Sequence, residues 1–496
     1  MKAIYLASLV ALLAFGPVMG SEDRPNILMI AVDDLRPMLG CYGDSRMRTP
    51  HIDQLAGEGM LFERAYCNYA KCGPSRLSLM TGLRPDTVGV YSHGDREVAA
   101  FREANPAAIP MSRWFRESGY HVRSFGKIDH DGWAVPEDWS EPPFAGREGE
   151  MLEIVDGSAP NEGTIIADRA DCPVMQAPDV ADDDLFAGRM TNEVIRQLSE
   201  QEGAQPFFYA VGFRRPHLPF VAPKRYYDLY EPDESWLAPN QEPPEGAPTL
   251  AWFNSDGYGG MMKKVGDPMP DPLTREDAIA LNGFEMRSYV GAPVRGEISK
   301  QKQMELRHAY SACISYVDAQ IGRLLQELSD QGLRENTIVL LWSDHGWHLG
   351  EMSAWGKMTN YEVATRVPLI VSAPGMKGGR TLSLAELVDL YPTLCELAEV
   401  DPPKHLEGNS LVPVLRDSSI AVKDAIRHEY SRYNGDFMGR AIRTERFRYV
   451  EWTNRKGAVV EEELYDLESD STERVNLSKT KKGVAQGLQR LLHPVQ

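Results

Sequence analysis

Four stretches of this chain are almost continuously apolar, and each runs directly into charged or histidine residues. They are residues 26–32, 121–125, 205–213 and 336–342. Apolar runs without alternation are typical of parallel strands that are buried on both faces. In open α/β sheets, ligands bind beyond the carboxyl ends of such strands. The four polar strand ends therefore predict one shared pocket.

Helical periodicity separates these runs. Residues 304–328 carry apolar side chains at helical spacing, and residues 110–119 and 184–198 are further helix candidates. Strands that alternate with helices predict a doubly wound, mostly parallel α/β sheet.

Two regions depart from this pattern. Residues 233–296 contain many Pro and Gly residues with little periodicity, which predicts a surface insert near the pocket mouth. Residues 447–452 and 459–465 flank a turn at Gly457, and the first of them alternates, which predicts antiparallel strands. We therefore predict a catalytic domain over residues 21–415 and a small α+β domain over residues 416–496.

The N-terminus has the pattern of a cleavable secretory signal over residues 1–20. Lys2 precedes an apolar run over residues 3–15, and small residues follow up to Gly20. A retained anchor is the alternative, but the run is shorter than the roughly 20 residues that a membrane-spanning helix needs. We expect an exported protein, either periplasmic or secreted.

Composition narrows the function further. The chain has 496 residues, of which 42% are hydrophobic and 25% charged, as in ordinary globular proteins. A net charge of −19 argues against nucleic acid or an anionic membrane as a partner, so an anionic substrate would need locally placed cations. The six cysteines show no zinc-binding spacing and do not form a disulfide scaffold, and any pairing among them stays open.

The most specific motif is Cys72-Gly73-Pro74-Ser75-Arg76, followed by Met80-Thr81-Gly82. It resembles the modification signal of type I sulfatases, in which the cysteine is oxidised to formylglycine. The usual extension is Leu-Thr-Gly, and Met80 is a mild departure because Leu and Met have similar volumes. The resemblance is strongest to the iduronate-2-sulfatase branch. Further segments that carry it are residues 31–37, 49–53, 210–217 and 343–351.

This resemblance implies an alkaline-phosphatase-like fold and hydrolysis of sulfate esters on a sulfated glycan or glycosaminoglycan fragment. It also implies a maturation partner, either a formylglycine-generating enzyme or an anaerobic sulfatase-maturing enzyme, that converts Cys72. The hydrated aldehyde would then be the nucleophile. Two alternatives stay open: a formylglycine-dependent phosphonate monoester or phosphodiester hydrolase, and a glycan-binding pseudo-sulfatase.

A metal site is implied by the same resemblance. Asp33, Asp34 and Asp344 offer hard carboxylate oxygens, which suit Ca²⁺. His345 stands where many sulfatases have Asn, and in the iduronate-2-sulfatase branch it neighbours the metal. Converted Cys72 would supply a further oxygen.

The remaining catalytic roles also follow from the resemblance. Arg76 and Lys127 would hold the formylglycine diol and the sulfate, and Lys357 and His217 would contact the sulfate and its bridging oxygen. His217 would protonate the leaving alcohol, since a histidine pKa lies closest to neutrality. His130 would be the base, spaced from Lys127 as Lys-x-x-His where many sulfatases have Lys-x-His.

Substrate contacts are the last group of candidates. Three residues near the segment 343–351 would stack on a sugar ring: Trp347, His348 and Trp355. Core packing is the alternative role of all three. Arg215, or its neighbour Arg214, would bind a uronate carboxylate, with a plain salt bridge as the alternative for Arg215.

Overall fold

The four apolar runs form the centre of a large mixed sheet. The computed structural model describes residues 24–145, 172–201 and 205–493, so the predicted signal peptide lies outside the described residues. The strands, in chain order, are β1 (Asn26–Val32), β2 (Met60–Tyr66), β3 (His121–Gly126), β4 (Met175–Gln176), β5 (Phe207–Phe213), β6 (Phe220–Val221), β7 (Thr337–Ser343), β8 (His348–Leu349), β9 (Trp355–Gly356), β10 (Arg366–Val367), β11 (Leu369–Ser372), β12 (Gly379–Glu386), β13 (Ala425–Arg432), β14 (Phe437–Thr444), β15 (Phe447–Asn454) and β16 (Val459–Asp466).

The predicted helices are present and lie beside further short ones. The α-helices are α1 (Pro50–Glu58), α2 (Cys72–Thr81), α3 (Pro85–Val88), α4 (Asp95–Ala104), α5 (Met111–Glu117), α6 (Phe186–Ser199), α7 (Lys224–Tyr227), α8 (Thr249–Trp252), α9 (Gly259–Lys264), α10 (Arg275–Leu281), α11 (Phe284–Arg287), α12 (Lys300–Asp330), α13 (Glu362–Thr365), α14 (Leu390–Leu397), α15 (Val412–Arg416) and α16 (Lys482–Leu492). Among the described residues, none of the helices combines the length and apolar character needed to span a bilayer.

The large sheet has the strand order β10-β2-β11-β7-β1-β5-β3, with β12 paired to β2. The four strands β7, β1, β5 and β3 are parallel, whereas β11 runs antiparallel to both β7 and β2. This arrangement confirms the predicted, mostly parallel α/β sheet.

The register brings the carboxyl ends of the parallel strands to the same level. Val32, the last residue of β1, pairs with Phe213 of β5 and with Ser343 of β7. On the other side of β5, Gly126 of β3 pairs with Gly212. The polar residues that follow these four strands therefore emerge together at one edge of the sheet.

Both faces of the sheet are covered by helices. Alternate residues of β1 enter different cores: Leu28 and Ile30 pack with α6 and α12, whereas Ile27 and Met29 pack with α2, α5 and α14. A strand buried on both faces has no solvent side, which explains why these runs lack polar alternation.

The C-terminal part forms a separate antiparallel sheet in the order β13-β14-β15-β16, as predicted for its last two strands. The segment 233–296, predicted to be a surface insert, packs in part against the C-terminal sheet. It contains α8 to α11, and Trp252, Phe253 and Phe284 are buried against Val450 and Trp452 of the C-terminal sheet. Its apolar residues fall in short helices, which leave little periodicity to detect.

Gly212 allows the close approach of β5 to the segment that follows β3. A Cβ at this position would lie 2.0 Å from the backbone oxygen of Lys127, so any side chain forces the backbone to move. We expect Gly212→Ala to lower the free energy of unfolding by about 1–3 kcal/mol, measured by chemical denaturation. The matched control is Gly57→Ala in α1, where a Cβ has open space and should be neutral or slightly stabilising. Equal stability of the two variants would contradict this account.

Candidate active site

Cys72 is the first residue of α2, and this helix starts inside the protein. All ten residues of α2 are buried, and Cys72 itself is 1% exposed. The Ser75 hydroxyl donates a hydrogen bond to the backbone oxygen of Asp344 at 2.6 Å, which holds the helix start against the end of β7. The side chain at position 72 therefore faces the polar edge of the sheet, at the positive end of a helix dipole.

Arg76, one turn further along α2, joins three of the strand ends. Its guanidinium donates to Asp344 Oδ2 at 2.9 Å and to Asp33 Oδ1 at 3.3 Å, after β7 and β1 respectively. It also donates to the backbone oxygen of Ile128, after β3, at 3.0 Å. A planar guanidinium with several fixed donors suits this bridging role better than a lysine.

Four side chains beside this arginine form a cluster that can hold a metal ion. One donor atom each from Asp33, Asp34, Cys72 and His345 lies within 4.8 Å of all the others, and all four residues are buried. Asp344 borders the cluster, with Oδ2 at 3.6 Å from His345 Nε2. The structure thus brings together all five residues predicted to bind the metal.

The His345 ring is oriented by its own backbone neighbourhood. Nδ1 donates to the carbonyl of Gly346 at 3.0 Å, which places the proton on that nitrogen. Nε2 then faces the cluster, 3.2 Å from Cys72 Sγ and 3.5 Å from Asp34 Oδ1. A fixed tautomer with its second nitrogen turned inward is typical of histidines that bind metals.

Two lysines balance the acidic cluster. The Lys127 ammonium pairs with Asp33, and the Lys357 ammonium lies 2.9 Å from Asp34 Oδ1. Lys357 also lies over the ring of Trp347, 4.9 Å from its centroid. A buried cation over an indole is stabilised electrostatically. The site therefore carries local positive charge in a protein of net charge −19.

Burial and neighbouring charges shift the pKa values of the cluster in different directions. Burial favours a higher pKa for Asp33, but Lys127 and Arg76 outweigh it and hold that pKa well below the usual range. For Asp34 burial prevails and raises the pKa well above the usual range. Burial, with the charge of Asp33, also raises the pKa of the Cys72 thiol to about 11. The unmodified thiol is therefore protonated at neutral pH and a poor nucleophile.

His217 also faces the cluster and lies near Asp34. Its Nδ1 donates to the carbonyl of Leu218 at 2.6 Å, and its Nε2 faces the site, 3.9 Å from Asp34 Oδ2. Glu285, which no motif singled out, has Oε1 at 3.8 Å from His217 Nε2 and at 3.4 Å from Lys357 Nζ. Burial and Lys357 lower the pKa of His217 well below its usual value, so the ring is neutral in the ligand-free site.

His130 stacks on a second histidine that the sequence did not indicate. The rings of His93 and His130 are 3.9 Å apart and nearly parallel, and His93 Nε2 accepts the backbone N–H of Gly73 at 3.4 Å. Burial, followed by the charge of Lys127, lowers the pKa of His130 to about 3. His130 is therefore neutral at neutral pH. His93 comes from the loop before α4, where no pattern marks it.

The two tryptophans expected to stack on a sugar are buried and cannot contact one in this structure. Trp347 is 0% exposed and Trp355 is 2% exposed, and both rings belong to the hydrophobic core. Trp347 instead packs against the Lys357 ammonium with the face of its ring. Arg215 is buried and donates to the carbonyl of His217 at 3.2 Å, whereas Arg214 forms an ion pair with Asp131 at 3.0 Å. Both tryptophan rings are large and apolar, so burial in the core stabilises them more than exposure at a sugar-binding surface would.

All six cysteines lie in the described residues, and each is buried and outside any disulfide bond. This leaves no structural disulfide among the six. The fold is therefore held by its cores and ion pairs.

Comparison with protein-family models gives two matches. The sulfatase family model matches residues 25–400, and the C-terminal model of N-sulphoglucosamine sulphohydrolase matches residues 350–495. The first match covers β1 to α14, which includes every residue placed at the site above.

Individual relatives are consistent with these matches. Iduronate 2-sulfatase of Mus musculus is 35% identical, covering 87% of this chain and 85% of its own length. Two solved structures share the fold at 23% identity: a phosphonate monoester hydrolase of Agrobacterium radiobacter, with a TM-score of 0.70, and a 2-O GAG sulfatase, with a TM-score of 0.68. Both alignments cover 95% of this chain. They cover 95% of the hydrolase chain and 91% of the 2-O GAG sulfatase chain.

Proposed function

Because this chain belongs to the sulfatase family and is a sulfuric ester hydrolase, we propose that it removes sulfate from a sulfated glycosaminoglycan fragment. The observation that carries the proposal is the buried cluster of Asp33, Asp34 and His345 around Cys72, at the start of α2. The similarity to iduronate 2-sulfatase of Mus musculus supports a sulfated uronate as the substrate.

Formylglycine at position 72 is the first part of the proposal. A thiol with a pKa of about 11 reacts slowly at neutral pH, which supports conversion of Cys72 before the enzyme works. The hydrate of formylglycine would supply a hydroxyl nucleophile and a second hydroxyl whose deprotonation releases sulfate. We infer a maturing enzyme as a partner, either formylglycine-generating or anaerobic.

Calcium is the second part, and the residues present fit it. Two buried carboxylates, Asp33 and Asp34, point into one space, and Asp344 borders it. Oxygen donors of this kind suit Ca²⁺, and a cation there would offset the high pKa of Asp34. Bound calcium would lower the pKa of a coordinated hydroxyl and offset the charge of the sulfate.

The side chains around the cluster suggest how the sulfate ester is held and cleaved. Lys127 and Lys357 would bind sulfate oxygens, and Arg76 would fix the group at position 72 as it fixes the strand ends. His130 is neutral and would accept a proton from that group. His217 Nε2 faces the site and would donate to the leaving oxygen, since a bound anion opposes the lowering of its pKa.

The rival activities are separated by one substrate comparison. We expect matched 4-nitrophenyl sulfate, 4-nitrophenyl phosphate and phenyl phosphonate esters to show a preference for sulfate in kcat/KM of at least about 100-fold, or roughly 2.7 kcal/mol of transition-state binding. A preference for the phosphonate or phosphate ester would contradict the proposal. Turnover of none of them, with Cys72 unmodified in protein from its native source, would favour the glycan-binding alternative.

Export remains a prediction that rests on residues 1–20. The five other buried cysteines are compatible with either a reducing or an oxidising compartment. Comparing the N-terminus of the protein purified from its native source with the full chain tests this directly. Retention of the N-terminal residues would contradict cleavage after Gly20.

A further inference from the structure

The insert 233–296 delivers one carboxylate, that of Glu285 in α11, into the candidate active site. The side chain of Glu285 is 3% exposed, which matches Lys357 at 3% and His217 at 5%. It therefore lies at the same depth as the groups proposed to bind the sulfate ester. The roles assigned above to the metal site and the sulfate do not use it.

The insert holds this carboxylate in a fixed place relative to Lys357. The Asn254 side chain donates to the backbone oxygen of Lys357 at 2.9 Å, and its own oxygen accepts the N–H of Gly283 at 2.8 Å. Gly283 has a positive φ of 76°, and a Cβ there would lie 2.7 Å from the backbone of Trp355. The turn before Glu285 is thus packed directly on β9.

Neither neighbour of Glu285 depends on it for orientation. Lys357 has a nearer partner in Asp34, at 2.9 Å rather than 3.4 Å. The His217 ring is already set by the carbonyl of Leu218 at 2.6 Å. A role confined to positioning these two groups would therefore leave the carboxylate largely redundant.

The charge of Glu285 also opposes the proposed substrate. A carboxylate beside the sulfate site repels an anion, and an ionised carboxylate can only accept hydrogen bonds. A hydrogen-bond donor on the substrate would offset this repulsion. Since Glu285 Oε1 and His217 Nε2 are 3.8 Å apart, one oxygen can lie within about 2.8 Å of both, and two neighbouring oxygens can each face one of them.

We propose that Glu285 accepts a hydrogen bond from a hydroxyl next to the sulfate ester on the leaving sugar, and so selects sugar sulfates that carry a free vicinal hydroxyl. In this arrangement His217 faces the ester oxygen and Glu285 faces the adjacent hydroxyl. The inference rests on the proposed sulfatase function and names the specificity of that same site.

The test pairs a change in the enzyme with a change in the substrate. Glu285→Gln and the wild-type protein are assayed with methyl 2-O-sulfo-α-L-iduronoside, its 3-deoxy analogue and 4-methylumbelliferyl sulfate. We expect the substitution to lower kcat/KM on the sugar sulfate by about 10- to 100-fold, the range for a hydrogen bond to a charged group. Removing the 3-hydroxyl should lower kcat/KM of the wild-type protein by a similar factor, and should lower kcat/KM of the variant little further. The loss on the aryl ester should be at least about tenfold smaller.

Glu276→Gln is the matched control, because Glu276 is an exposed acid of the same insert. It should retain the activity of wild-type protein on all three esters. Thermal unfolding of both variants checks that the fold is kept, and glutamine preserves the shape of the side chain in either case.

The outcomes separate this role from the proposed function. An equal loss on the sugar, deoxy and aryl esters leaves the sulfatase function standing and overturns the recognition role of Glu285. If kcat/KM of Glu285→Gln also falls by about a further 10- to 100-fold when the 3-hydroxyl is removed, the two effects are independent, and the recognition role of Glu285 is likewise overturned. Wild-type protein that hydrolyses the aryl sulfate but no sugar sulfate contradicts the substrate class, and with it this role of Glu285.

Discussion

Cys72→Ala is expected to abolish sulfate ester hydrolysis while the protein stays folded. The variant lacks the side chain that would be converted, and no other described cysteine lies in the acidic cluster. We expect kcat/KM to fall by roughly 10⁴-fold or more, as when a nucleophile is removed from other hydrolases. The loss in stability should be small, since alanine removes only one buried atom. Steady-state assays with 4-nitrophenyl sulfate and thermal unfolding measure the two effects.

Cys67→Ala provides the matched control, because Cys67 is equally buried but packs in the hydrophobic core, with its thiol 3.8 Å from the backbone oxygen of Ala364. It should retain activity within a few-fold, or about 1 kcal/mol. Mass spectrometry of the peptide that contains position 72 should show, in active protein, a side chain that has lost its sulfur and two hydrogens and gained one oxygen. Substantial activity in Cys72→Ala, or a fully active protein with an intact thiol, would refute the nucleophile assignment.

The sequence predicts the centre of the fold better than its margins. The strands β1, β3, β5 and β7 are continuous apolar runs because both of their faces are buried, so hydrophobicity alone locates them. The strand β2 is not predicted, since the half-buried Glu63 and Arg64 interrupt its apolar pattern. The strand β12 is likewise interrupted, by the polar residues Arg380, Thr381 and Ser383.

The residues of the candidate site likewise fall into those that the sequence can place together and those that it cannot. Residues that directly follow parallel strands, such as Asp33 and Asp344, can be placed together from the sequence because the ends of these strands meet at one edge. His93 and Glu285 reach the same pocket from a loop and from a short helix of the insert, and only tertiary packing brings them there. Size and burial likewise put Trp347 in the core, whereas its position in the sequence suggested a surface contact.

Among the residues of the proposed metal site, Asp34 is the one whose replacement should have the clearest effect on calcium binding. It has a positive φ of 65°, a conformation that asparagine tolerates better than most residues, so Asp34→Asn preserves the backbone. The substitution removes one negative charge from a buried cluster that also contains Asp33 and His345. The charge count of the ligands sets calcium affinity, so we expect the dissociation constant to rise roughly 100-fold or more. The rate should fall with it, by about 10³-fold at limiting calcium.

The pH dependence of calcium binding gives a second, independent signature. Burial raises the pKa of Asp34 in the metal-free protein, so calcium binding releases a proton from this carboxyl wherever the pH lies below that raised pKa. Wild-type affinity should therefore weaken as the pH falls towards that raised pKa and strengthen above it, and Asp34→Asn should lose most of this dependence. Calorimetry in buffers of different ionisation enthalpy measures both the affinity and the proton release. Asp228→Asn, at an exposed acid that pairs with Lys224, is the control and should bind calcium as wild-type protein does. Unchanged calcium affinity in Asp34→Asn would remove Asp34 from the proposed metal site.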